Sequence, residues 1–146
     1  MPMSLTHIAA REAACRIPAL NASLAKLNQD TDLSKIEIRS GTMPADPETA
    51  PADGALVVTL TLGAAPGTVD EALFQIQLTT PIEAQITGAD PTNGTTVTWA
   101  RIYDGTGAVW YDATVTDEAG SGEIKLQTVL LYNGAFARLT SAVFQG

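Results

Sequence analysis

The chain holds one histidine, His7, and one cysteine, Cys15. A nucleophilic site needs a base beside its nucleophile, and a metal site needs several donors that converge. His7 has no histidine or cysteine partner at ligand spacing. Cys15 has no second histidine to activate it, so it reads as a small buried apolar residue. A lone cysteine also excludes an internal disulfide framework. Ser121 lies in Gly-Ser-Gly, which lacks the Gly-x-Ser-x-Gly spacing of a nucleophile elbow, and the stretch reads as a flexible turn. Asp104 and Asp112 flank one hairpin and could approach each other as a glycosidase pair would. Asp104 is also the residue an Asp-Gly turn calls for, and Asp112, Asp117 and Glu118 fall where strands run out into solvent. Asp104-x-Thr106 with Asp112 faintly echoes a calcium loop but lacks its alternating oxygens and twelfth-position glutamate. No phosphate-cradling glycine motif occurs, since Gly105 and Gly107 precede a strand. These residues point to no enzyme and no cofactor.

The elements that would carry such residues follow from periodicity. Residues 1–33 read as helical, with Ser4 or Thr6 as cap. Ile8, Cys15 and intervening alanines form a small-residue face opposite Arg11, Glu12 and Arg16. Pro18 interrupts the pattern, and Leu20, Leu24 and Leu27 resume it, so two short helices or one kinked helix are expected. From Ile36 the period becomes two. Strands are expected at 36–39, 55–62, 73–79, 82–87, 95–103, 109–116, 124–131 and 135–144, with loops at 41–54 and 63–70. Leu56, Val58, Leu60 and Leu62 should share one face. Asp104-Gly105 and Asn133-Gly134 mark tight turns. Nineteen threonines suit half-exposed strand faces. The fold class is mainly β: a seven- to eight-stranded antiparallel β-sandwich, jelly-roll or immunoglobulin-like, preceded by a short N-terminal helical segment. The division is a helical arm at 1–33 and a β-sandwich domain at 34–146.

The 146 residues carry a net charge of -8, with 45% hydrophobic and 16% charged residues. This suits one folded domain and disfavours disorder. Residues 1–39 hold five basic and four acidic side chains, and residues 40–146 hold three basic and twelve acidic. An acidic body repels a phosphate backbone and an anionic membrane, so neither nucleic acid nor membrane is an expected partner. No apolar run is long enough for a signal peptide core or a bilayer span. Trp99, Tyr103, Trp110 and Tyr111 bracket one hairpin. Trp110 and Tyr111 are neighbours on a strand, so they should point to opposite faces and leave one ring free for a protein partner or a sugar.

The run Ile36-Glu-Ile-Arg-Ser-Gly-Thr-Met-Pro-Ala-Asp-Pro, then Ala-Pro-Ala-Asp-Gly-Ala-Leu-Val-Val-Thr-Leu-Thr-Leu62, resembles small phage and prophage virion proteins. So do Thr96, Trp99, Arg101, Tyr103 and Asp104, followed by Gly105, Gly107 and Val109. The resemblance spans most of residues 10–144 and is to capsid decoration or cement proteins of tailed phages, with neck and tail proteins nearby. It implies a non-enzymatic protein on the capsid exterior, assembled in the host cytoplasm. Its partners would be the major capsid protein and further copies of itself, as a dimer or trimer. The proline-rich loop with Pro44, Pro47 and Pro51 would serve as a contact arm, because proline lowers the entropy lost on ordering. Trp110 and Tyr111 are further contact candidates, and the N-terminal segment is a second arm. A tail, neck or baseplate position is the alternative, and a carbohydrate-binding module is a third reading.

Overall fold

A computed structural model describes residues 2–28, 34–51 and 56–146. The chain forms one helix and then strands. α1 spans Leu5–Leu27 and is a single helix with Pro18 inside it, where the sequence suggests a break. Ser4 caps it by accepting the His7 N–H at 3.2 Å. Packing explains the continuity. The second half of α1 lies on the body, where Leu20 and Leu27 are buried in the main core, and tertiary burial outweighs local propensity. The expected turn over 28–32 and the boundary at 33 lie mostly outside the described residues.

Among the described residues eleven strands follow: β1 (Lys35–Arg39), β2 (Leu56–Thr61), β3 (Gly67–Asp70), β4 (Gln75–Leu78), β5 (Ile82–Gln85), β6 (Thr95–Thr96), β7 (Trp99–Tyr103), β8 (Val109–Asp117), β9 (Ile124–Leu126), β10 (Leu130–Leu131) and β11 (Phe136–Gln145). The excess over the expected seven or eight has a simple origin. Part of the expected loop 63–70 is β3, and the segments 95–103 and 124–131 each divide in two. Nine strands make one sheet in the order β2-β1-β7-β8-β9-β11-β4-β3, with β5 also on β11, and β6 and β10 form a small separate pair. β4 and β5 follow one another along β11, separated at Pro81, which cannot donate to the ladder.

The sheet curls on itself. The N–H groups of Thr87 and Gly88 donate to the Val57 carbonyl of β2 at 3.3 and 3.0 Å. The approach is close enough that a Cβ on Gly88 would lie 1.9 Å from the Leu56 oxygen, so only glycine fits there. One pairing departs from the antiparallel expectation. β8 and β9 run parallel, Val115 opposite Ile124 and Asp117 opposite Leu126. The return between them is held by Asp117, whose carboxylate accepts from the N–H groups of Ala119 and Gly120, and by Glu123, which accepts from Thr114. Inside the curl lie Ile36, Ile38, Leu60, Ile102, Ile124, Leu126 and Leu139, all buried.

Two bulges revise the expected faces. Ile38 pairs with Val58 and Arg39 with Leu56, so Val57 is the extra residue. It turns inward and is buried, while Leu56, expected inside, is 38% exposed. On β8, Tyr103 pairs with Val109 and Ile102 with Tyr111, so Trp110 is the extra residue.

The strand directions sort the molecule into two ends. Lys35, Thr61, Tyr103, Val109 and Gln145 mark one end, and Arg39, Leu56, Trp99, Asp117 and Phe136 the other. α1 belongs to the first end. The Gly105 N–H donates to the Lys26 carbonyl at 3.4 Å, and Arg16 donates to the Gly146 carbonyl at 2.6 Å. The loops 40–51, 86–98 and 127–136 gather at the second end.

Candidate functional site

The polar residues that invite a catalytic reading are occupied in holding the strands. The Asp104 carboxylate accepts from the Thr106 N–H and hydroxyl at 2.9 and 2.6 Å and from the Ala108 N–H at 3.1 Å. Burial pushes this carboxyl up. The hydrogen bonds from Thr106 and Ala108 outweigh burial and hold it below the usual aspartate range. Asp112 does not run out into solvent, as its position suggests. It forms a bidentate pair with Arg101 at 2.7 and 2.8 Å, and the two side chains are 7% and 3% exposed. The hydrogen bonds to Asp112 raise the Arg101 guanidinium above its ordinary value. Beside this pair, Glu37 on β1 holds Arg39 at 3.0 Å and Lys35 at 3.6 Å. Asp104 and Asp112 therefore serve separate structural roles and do not converge. Among the described residues, no group of three His, Cys, Asp or Glu side chains is placed to hold a metal ion.

The aromatic hairpin is likewise tied into the fold. Because Trp110 is a bulge residue, it does not oppose Tyr111 across the strand, and both rings meet Phe144 of β11. The ring centroids lie 5.3 Å and 4.8 Å from that of Phe144 in edge-on contacts. The Trp110 indole N–H donates to the Ser23 carbonyl of α1 at 2.9 Å. Both rings are half-buried, and burial, helped by the charge of Glu123, raises the Tyr111 hydroxyl. The expectation of one freely exposed ring on this pair gives way to a helix-docking role. Of the loop prolines, Pro47 is exposed, and Pro44 and Pro51 are half-buried. The loop is held locally by Asp46, which accepts from Thr49, and at its root by Thr98, which donates to the Gly41 carbonyl at 2.6 Å. Residues 52–54 of the expected arm lie outside the described residues.

What remains unoccupied is apolar surface at both ends. From Leu5 to Glu12 every residue of α1 is exposed, with Leu5 at 86% and Ile8 at 40%. Cys15 is exposed rather than buried, because among the described residues the covered part of α1 lies further along, at Leu20 and Leu27. Met3, Ile8, Arg11, Glu12, Cys15 and Arg16 outline an open hollow of about 460 Å³. At the opposite end, Leu130, Tyr132 and Phe136 are 41%, 40% and 67% exposed, and Leu56 is exposed as well. Sequence periodicity missed both. The free half of α1 differs little in residue type from a buried helix, and Leu130 and Phe136 sit at the ends of short or terminal stretches of strand, where alternation does not say which side is covered. Large exposed apolar groups gathered at one place are a mark of an interaction surface. Comparison with protein-family models, with curated proteins and with solved structures finds no match to this chain. Among the described residues no helix is long and apolar enough to cross a membrane.

Proposed function

We propose that this chain is a non-enzymatic structural protein of a tailed-phage virion, a cement protein that binds the major capsid protein on the capsid exterior and stabilises capsomer joints. The observation that carries this reading is the free half of α1, which presents Leu5 and Ile8 to solvent on a helix anchored to the body at its other half. An anchored helix with an unpartnered apolar end suits a clamp across a joint. The sequence resemblance supplies the virion context. The structural employment of Asp104 and Asp112 supports a passive role, since neither carboxylate is left to act on a substrate. On this reading the proline loop with Pro47 outermost is the second contact element.

A tail, neck or baseplate position is the second reading. The apolar surfaces at two different ends favour it, because contacts between unlike faces build rings. The sugar-binding reading loses its motive, since Trp110 and Tyr111 pack on Phe144. The test is cryo-electron microscopy of the particle that encodes this chain. Density across capsomer joints is expected. Density in the tail would replace the cement assignment with the second reading, and absence from the particle would overturn both.

A further inference from the structure

We infer that Asn133 is a self-modification site: its side-chain amide clasps the seam that closes the curl of the sheet, and its conversion to a carboxylate opens that seam. The sequence sets the chemistry. Asn133 is followed by Gly134, which lacks the Cβ that would keep its backbone nitrogen away from the preceding side chain. Asn133 is exposed, and the place where a Cβ on Gly134 would stand is open space. The structure sets the consequence. Ile86 donates to the Ala135 carbonyl and accepts from the Gly134 N–H, both at 2.8 Å, which carries the pairing of β5 with β11 beyond Gln85. The Asn133 amide, turned as its neighbours require, donates to the Thr87 carbonyl at 2.8 Å and the Ile86 carbonyl at 3.2 Å. The same short segment makes the closure, since the N–H groups of Thr87 and Gly88 bind the Val57 carbonyl. Only a donor fits against two carbonyl oxygens. An ionised carboxylate offers acceptors alone, so at position 133 it would set oxygen against oxygen.

The step consumes only water. The Gly134 nitrogen, its proton taken by hydroxide, bonds to the Asn133 Cγ, the bond from Cγ to Nδ2 breaks, and ammonia leaves with a proton from solvent. Water then opens the resulting cyclic imide at either carbonyl, to aspartate or isoaspartate, with no change of oxidation state. While the seam is closed the attacking nitrogen is engaged with the Ile86 carbonyl. Local opening therefore starts the reaction, and the carboxylate it leaves prevents the clasp from forming again. Asn93-Gly94 is the same pair in a different setting. The Gly94 N–H donates to the Asp90 carbonyl at 3.1 Å within one turn, and Gly94 lies against the Leu130 and Tyr132 side chains. Conversion there would leave the seam as it is.

The test uses the full purified chain, kept warm at mildly alkaline pH for about ten times the half-life that the reaction shows in urea. Peptide mapping by mass spectrometry follows both asparagines. Position 133 is expected to turn acidic in the folded chain, with isoaspartate among the products. Ion exchange separates the converted fraction by its added negative charge. In that fraction the Thr87 and Gly88 amides should exchange roughly tenfold faster or more, with β7 and β8 unchanged. Asn93→Gln removes the other Asn-Gly pair and should leave both results as they are. Asn133→Asp should show the faster exchange from the start. If that variant fails to fold, the aged wild type supplies the same reading. An Asn133 that keeps its amide throughout the incubation would overturn the inference, and so would a converted chain whose Thr87 and Gly88 amides exchange as before. Neither result touches the virion reading, which involves no change at this residue.

Discussion

Arg101 and Asp112 show how a buried charge is made tolerable. Two parallel hydrogen bonds at 2.7 and 2.8 Å satisfy the fork of the guanidinium, and neither side chain is left to face the protein interior unpaired. Asp112→Ala should therefore destabilise the fold by about 3–5 kcal/mol, because Arg101 stays buried without its partner. The double change Arg101→Met with Asp112→Leu should cost less than the single one, and urea unfolding of both variants checks the order. Asp104 gives a pH signature. Its carboxyl lies below the usual value in the folded chain, so its contribution is present above about pH 4 and fades as the pH falls through the folded value. Asp104→Asn should cost about 1–2 kcal/mol at neutral pH, the worth of charge-assisted hydrogen bonds, and the gap to wild type should narrow as the pH falls through the folded value. The turn role of Asp104 was readable from the Asp-Gly dipeptide. The role of Asp112 was not. It faces Arg101 only because the bulge at Trp110 shifts the ladder by one residue, and local periodicity carries no mark of such a shift.

At the scale of elements, a bulge decides what Trp110 does. The extra residue lets both aromatic neighbours meet Phe144, and it leaves the indole N–H in reach of the Ser23 carbonyl. Trp110→Phe keeps most of the ring contact and removes the hydrogen bond. Its expected effect is a loss of about 1 kcal/mol and faster amide exchange in the second half of α1, with β7 and β8 unchanged. The period-two reading set Ile36 with Ile38 on one face and Val58, Leu60 and Leu62 on another, and all five are buried, because those stretches of ladder are regular. It misplaced Leu56 and Val57, where the ladder slips, and missed β3, whose four residues are too few to show alternation. Pro18 signalled a break that packing of Leu20 and Leu27 overrode. Local chemistry thus predicts the elements, and long-range pairing sets their exceptions.

At the scale of the whole molecule, the curl of the sheet matters for what stays open. β2 is closed off by the hydrogen bonds to Val57, and β11 is paired on both sides. β3 is the strand left with a single hydrogen-bonded neighbour at the far end of the main order, and the second half of α1 packs against it. An uncovered row of backbone donors and acceptors templates pairing with another chain, and proteins guard it with a helix or a charge. The docked half of α1 is such a guard. Removing residues 1–27 should therefore not yield a well-behaved monomer. Light scattering should rise within the purified sample through strand-to-strand stacking. One helix thus holds two opposed duties along its length: its outer turns invite ordered company, and its inner turns keep disordered company away.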